Sequence, residues 1–103
     1  MKKDIRKEFT DCARAAGMTP GEWRRIAGKT PESQSFAAGI VEDLAGAYTP
    51  EGIRRWFARP RVQLDGRAPA DVLVGAWRPD HDMPLRVKAL SRALRGGGPG
   101  PAS

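Results

Sequence analysis

The stretch that decides the fold reads Trp56-Phe57-Ala58-Arg59-Pro60-Arg61-Val62-Gln63-Leu64-Asp65-Gly66-Arg67-Ala68-Pro69-Ala70-Asp71-Val72-Leu73. It opens on two aromatics, which bring large apolar area to a small core. Pro60 ends the helix that carries them, because proline lacks an N–H and disfavours the α region for the residue before it. Pro69 opens the next helix. Between the two prolines, 61–67 reads as a loop that turns at Asp65-Gly66 and has Leu64 as its one clear apolar anchor. Trp56, Leu64 and Leu73 are therefore expected in the core rather than at a contact surface. Arg67, just ahead of a helix start, is placed to hydrogen-bond carbonyls at the end of the preceding helix.

Upstream, three Thr-Pro pairs punctuate the chain: Thr19-Pro20, Thr30-Pro31 and Thr49-Pro50. A Thr hydroxyl accepts from an orphan N–H at a helix start, and Pro at the next position loses no bond there. Glu22, three residues after Thr19, completes a capping box. The pairs predict helices over 20–27, 31–47 and 50–58, preceded by one over 3–16. Their apolar stripes are Ile5, Phe9, Ala13 and Ala16; Trp23, Ile26 and Ala27; Phe36, Ile40, Val41 and Leu44, with Tyr48 extending the stripe; and Ile53, Trp56 and Phe57. Downstream, a short helix is expected over 69–76, a loop over 78–83, and a last helix over 84–95 carrying Leu85, Val87, Leu90 and Leu94. The Gly- and Pro-rich tail 96–103 has nothing to bury and is expected to be disordered. The fold class is all-α, a small multi-helix bundle, organised as a helical lobe over 1–48, a second helical unit over 49–95, and the tail.

Composition narrows the function. The chain has 103 residues, 40% of them hydrophobic, one cysteine (Cys12) and one histidine (His81). No apolar run approaches a membrane span. The charged start lacks the apolar core of a secretory signal. A single cysteine cannot form an internal disulfide, and one Cys with one distant His cannot close a usual metal site. A cytoplasmic protein with no metal and no cofactor is expected. No catalytic residues are assigned. Asp80-His81-Asp82 lies on a surface loop without a nucleophile. Gly96-Gly97-Gly98 near the end of the sequence has no strand-loop-helix setting, so it is not a phosphate cradle. Net charge is +6, and residues 50–103 supply ten Lys/Arg against five acids. Such a surface favours phosphates or an acidic protein partner.

The pattern Trp56-Phe57, Pro60, Leu64, Arg67-x-Pro69 and Val72-Leu73 resembles the C-terminal toxin-binding domain of the Xre/MbcA/ParS antitoxin family. Arg61 stands where the family commonly has Asn, and 78–83 reads as an insertion. A later apolar helix ending in Gly is filled by Val87, Leu90, Leu94 and Gly96. The resemblance implies a non-enzymatic antitoxin that occludes the active site of a toxin, commonly a RES-domain, NAD-consuming one. Arg61, Arg67, Arg86, Lys88, Arg92 and Arg95 are then the candidate partner-binding residues, the last four on the terminal helix. The alternative for that helix is a solvated cationic face.

Family members usually carry a helix-turn-helix lobe in front. Gly17-Met18-Thr19-x-x-Glu22, Ile26-Ala27 and Thr30-Pro31-Glu32-Ser33 resemble its central part, in shortened form. That implies a recognition helix from Pro31, with Ser33 and Gln34 towards base edges and Arg24, Arg25 and Lys29 near phosphates of operator DNA. A homodimer or a toxin–antitoxin hetero-oligomer would follow. Two other readings fit the same residues: a DNA-binding regulator without a toxin, or a phage-encoded accessory protein that intercepts a host enzyme.

Overall fold

The computed structural model describes residues 5–95, with side chains described over 10–94. The tail 96–103 and the stripe residues Ile5 and Phe9 lie outside those limits. Six helices follow one another: α1 (Ile5–Ala15), α2 (Pro20–Ala27), α3 (Pro31–Ala45), α4 (Pro50–Ala58), α5 (Pro69–Val72) and α6 (Asp82–Arg95). A 3-10 turn, Val62–Leu64, sits between α4 and α5. The described residues hold no strand, only one isolated antiparallel bridge between Arg61 and Arg67. The chain is all-α. No described helix is long and apolar enough to cross a membrane.

Each Thr-Pro pair starts a helix where its chemistry requires. The Thr19 hydroxyl accepts from the Glu22 N–H at 3.1 Å, and the Glu22 carboxylate accepts from the Thr19 N–H at 2.9 Å. Thr30 and Ser33 form the same reciprocal pair. Thr49 caps one-sidedly, accepting from the Gly52 N–H. Such caps contribute about 1 kcal/mol each. At the end of α1 the chain turns through Gly17 at φ +68°, and a Cβ there would stand 2.7 Å from the Pro50 carbonyl oxygen. Glycine at this point lets α4 begin against the end of α1.

α3 is the central element, packed on α1, α2, α4 and α6. Its inward stripe holds Ala37, Ile40, Val41 and Leu44, all buried. One hydrophobic cluster runs from Ala13 to Val87 and includes Trp23, Phe57, Leu64, Leu73 and Trp77, so stretches 1–48 and 49–95 share a core. Trp56, Leu64 and Leu73 are buried, as their pattern implied. Trp56 and Trp23 both meet Phe57 edge-on, with ring centroids 5.3 and 6.4 Å away.

The loop 61–67 closes on itself. Arg61 N–H donates to the Arg67 carbonyl at 3.0 Å, and Gly66 N–H donates to the Arg61 carbonyl at 2.8 Å. Asp65 takes the left-handed conformation at φ 57°, as the turn at Asp65-Gly66 demands. Leu64, buried beneath, anchors it.

Four expectations need correction. The third helix ends at Ala45 rather than 47, where Gly46, a poor helix former, follows, and Tyr48 beyond it is 41% exposed instead of extending the stripe. The short helix stops at Val72 rather than 76, since Leu73 leaves the helical region at ψ 68° to bury its side chain. The chain then returns to bury Trp77, whose indole N–H donates to the Ile26 carbonyl at 3.0 Å and whose ring meets Phe36 at 5.7 Å. The last helix starts at Asp82, not Pro84. Pro84 falls in the first turn, where N–H groups have no intrahelical partner, so it breaks no bond. Leu85 does not join the inward stripe and is 49% exposed. It lies two residues from buried Val87, and positions two apart do not share a helix face.

Two polar links hold distant elements together. The Arg54 guanidinium grips the Glu22 carboxylate through two 2.8 Å bonds and donates to the Gly17 carbonyl, tying α4 to α2 and to the end of α1. This guanidinium, with the Thr19 N–H second, draws the Glu22 carboxyl down to about 2. Asp43 on α3 is fully buried and accepts from Lys88 Nζ at 3.0 Å and from the buried Ser91 hydroxyl at 2.8 Å, both on α6.

Candidate functional site

Two surfaces carry functional side chains. The first is a groove of about 700 Å³ lined by Gly21, Arg24, Arg25, Gly28, Lys29, Gln34, Val74 and Gly75. It forms because α2 ends in two arginines, turns at Gly28 and hands over to α3 three residues later. Gly28 sits at φ +80°, and a Cβ there would meet the Ser33 hydroxyl at 2.4 Å. The tight turn sets Lys29 beside Arg25, and Gln34 enters from the first turn of α3. No acidic residue lines the groove. Four of the five residues expected to face DNA thus share one concavity. A bland cause for two of them is also present, since arginines in a last turn favourably meet the negative end of the helix dipole.

Ser33, the fifth, does not reach the surface. It is fully buried, its hydroxyl donating to the Ala27 carbonyl at 2.8 Å and accepting from the Thr30 N–H. Capping its own helix and closing the α2–α3 turn leaves it nothing for a base edge. Glu32 and Ser35 are exposed, but Pro79 lies with them and with Phe36 around a shallow hollow on the same helix. The segment 77–79 therefore flanks the face that a recognition helix would present.

The second surface belongs to α4, the 61–67 loop and α6. Here the candidate cations divide. Arg61 turns inward, with its guanidinium 4.6 Å from the Trp56 ring centre and Nη2 donating to the Trp56 carbonyl at 3.3 Å. Arg61, not Arg67, takes the carbonyl at the end of the preceding helix. Arg67 is exposed and pairs with the loop only through its backbone. Lys88 is committed to Asp43 and is removed from the outward set. Arg86 bonds the Gln63 carbonyl at 3.3 Å and pairs with Asp82 at 3.1 Å, bracing α6 against the 3-10 turn. Arg92 is exposed; the Arg95 side chain lies outside the described residues.

What this side presents instead is apolar. The exposed large hydrophobics among the described residues are Tyr48, Val62, Val74, Leu85 and Leu94. Val62 is 89% exposed at the start of the 3-10 turn, beside the Gln63 that holds Arg86. Leu85, next to Arg86 in sequence, also faces solvent. Sequence reading placed Leu85 and Leu94 inside and left Val62 without a role; the loop closure that buries Leu64 turns Val62 outward.

The roles of Trp77, Asp43 and Ser91 emerge only in the folded chain. Asp43 had one signal, a carboxylate three residues after Ile40 on the apolar face of α3, matched by Lys88 and Ser91 three apart on α6. His81 is exposed, and its neighbours Asp80 and Asp82 pair with Arg78 and Arg86. Among the described residues no group of His, Cys, Asp and Glu could hold a metal ion. No family model matches the chain, and neither a curated protein nor a solved structure matches it.

Proposed function

We propose that the chain is an antitoxin-like binding protein, without catalysis of its own, that neutralises a partner toxin by covering its active site. The toxin class is the RES-domain, NAD-consuming type that the Trp56–Leu73 pattern brings to mind. The observation that carries the reading is the exposed apolar side chains Val62 and Leu85 on the loop–α6 side, joined by Arg86, which follows Leu85 and bonds the Gln63 carbonyl beside Val62, with Arg67 and Arg92 exposed on the same loop and helix. Exposed apolar groups rimmed by arginine suit a protein interface, where desolvated apolar contacts and guanidinium anchors dominate. The test is purification of the tagged full chain from its own cells at moderate salt. A stoichiometric, enzyme-sized companion whose NAD consumption falls on adding the chain supports the reading; recovery of the chain alone sinks it.

A second reading, a nucleic-acid-binding regulator, is favoured by the acid-free groove of Arg24, Arg25, Lys29 and Gln34. In an antitoxin the same groove would serve autorepression of its operon. Binding through it is dominated by phosphate neutralisation, so affinity falls with salt. Arg25→Gln with Lys29→Gln should flatten that salt dependence. An unchanged slope removes the groove from consideration.

A further inference from the structure

A notch of about 300 Å³ on the α4 side is lined by Tyr48, Gly52, Arg55, Trp56, Arg59 and Arg61. Neither proposed function uses it. Three guanidiniums line it and no carboxylate does. Among the described residues, Arg55 alone of the three has an acidic partner, Glu51 at 2.8 Å, one turn back on α4. Arg61 stacks on Trp56, and its Nε is buried with no hydrogen-bond partner. A desolvated cation left partly unbonded costs stability, and a neighbouring like charge adds to the cost. Burial first, and the nearby Arg59 charge second, push the Arg61 pKa down. The sequence thus holds two arginines, 59 and 61, against one opening without a counter-charge.

We propose that this notch is a binding site for a small phosphate-bearing ligand. A phosphate offers several acceptor oxygens and up to two negative charges, which suits Arg59, Arg61 and the Tyr48 hydroxyl around one opening. The Trp56 face is already covered by Arg61, so a nucleobase would find no ring to stack on there. The volume suits a phosphate or diphosphate group rather than a large organic ligand. The site does not depend on the toxin reading.

The experiment is a titration of the full-length chain with inorganic diphosphate, then with acetate, at fixed ionic strength. It is read by NMR on the Trp56 indole and the Arg61 Nε–H. Saturable shifts of both signals with diphosphate are expected. Arg59→Gln, at an exposed position the core does not use, should weaken binding roughly tenfold or more, the loss expected of a charged hydrogen-bonded pair. Tyr48→Phe should weaken it a few-fold. Arg14→Gln, at an exposed position on α1, should leave it unchanged. Linear, non-saturating shifts, full affinity in Arg59→Gln, or acetate binding as tightly as diphosphate would each overturn the proposal.

Discussion

The α2–α3 groove and the loop–α6 face are both rich in cations, yet they use them differently. In the groove, Arg25 and Lys29 are exposed around a concavity without acids. On the loop–α6 side, Arg61, Arg86 and Lys88 are engaged by the chain's own carbonyls and carboxylates, and apolar Val62 and Leu85 face outward. A count of positive charge along the sequence treats the two regions alike, and even favours the second half. Geometry separates them: a charge bound to its own backbone braces a fold, while an unscreened charge in a concavity attracts an anion.

The largest expected effect tests how far the two regions depend on each other. Lys88→Met leaves the Asp43 carboxylate fully buried, with only the Ser91 hydroxyl among the α6 partners named above. Removing the cation from a buried ion pair costs about 3 kcal/mol here, at the low end of the usual range because Lys88 is 25% exposed and Asp43 keeps other contacts. Urea denaturation should show that loss. Asp43→Asn, which removes the buried charge itself, should cost less; the reverse order would mean Asp43 is not charged in the fold.

Next comes Trp77, the residue that returns the chain to α2 and α3. Trp77→Phe keeps much of the ring but removes the bond to the Ile26 carbonyl, and should destabilise by about 1–2 kcal/mol. The same denaturation curves report it, and an unchanged midpoint would mean the bond is not formed in solution. By contrast, Val62→Glu and Leu85→Glu should alter stability by no more than about 0.5 kcal/mol, as exposed substitutions do. A larger loss would place them in the core and remove the apolar face.

The smallest effect concerns acid. Glu22 is held near 2 by Arg54 in the folded chain and returns towards 4.5 when unfolded. Between those values the unfolded chain binds more protons. The contribution of this contact is therefore complete above about pH 4.5 and is lost as pH falls towards 2. Glu22→Gln should show a shallower loss of stability across that window than the parent chain. Identical slopes would mean the Glu22–Arg54 contact is absent in solution.

The helix starts were legible because their causes are local. Thr caps, Pro at the first position and the Asp65-Gly66 turn each act within four residues, and all stand where expected except Pro84, which falls two residues inside its helix. Membership of the groove was legible too, since Arg24, Arg25 and Lys29 crowd one helix end. What sequence could not give rests on distant partners. Trp77 is fixed by a carbonyl 51 residues away, and Lys88 by a carboxylate 45 residues away. The choice between Arg61 and Arg67 for the helix-end carbonyl was settled by loop closure, which pairs their backbones and turns only Arg61 back over Trp56. Ser33 was misjudged for a related reason: a serine three residues past a cap can reach the surface or complete the cap, and the tight turn at Gly28 leaves room only for the second.

Under the proposed function, partner binding belongs to the loop–α6 face and not to the groove. The most direct measurement compares three tagged full-length chains purified from the same cells: the parent, Val62→Glu with Leu85→Glu, and Arg25→Gln with Lys29→Gln. The amount of the companion protein recovered per chain is then quantified. Equal recovery is expected with the parent and the groove variant, and loss with the apolar-face variant although it remains folded. Retention by the apolar-face variant, with loss in the groove variant, would contradict it.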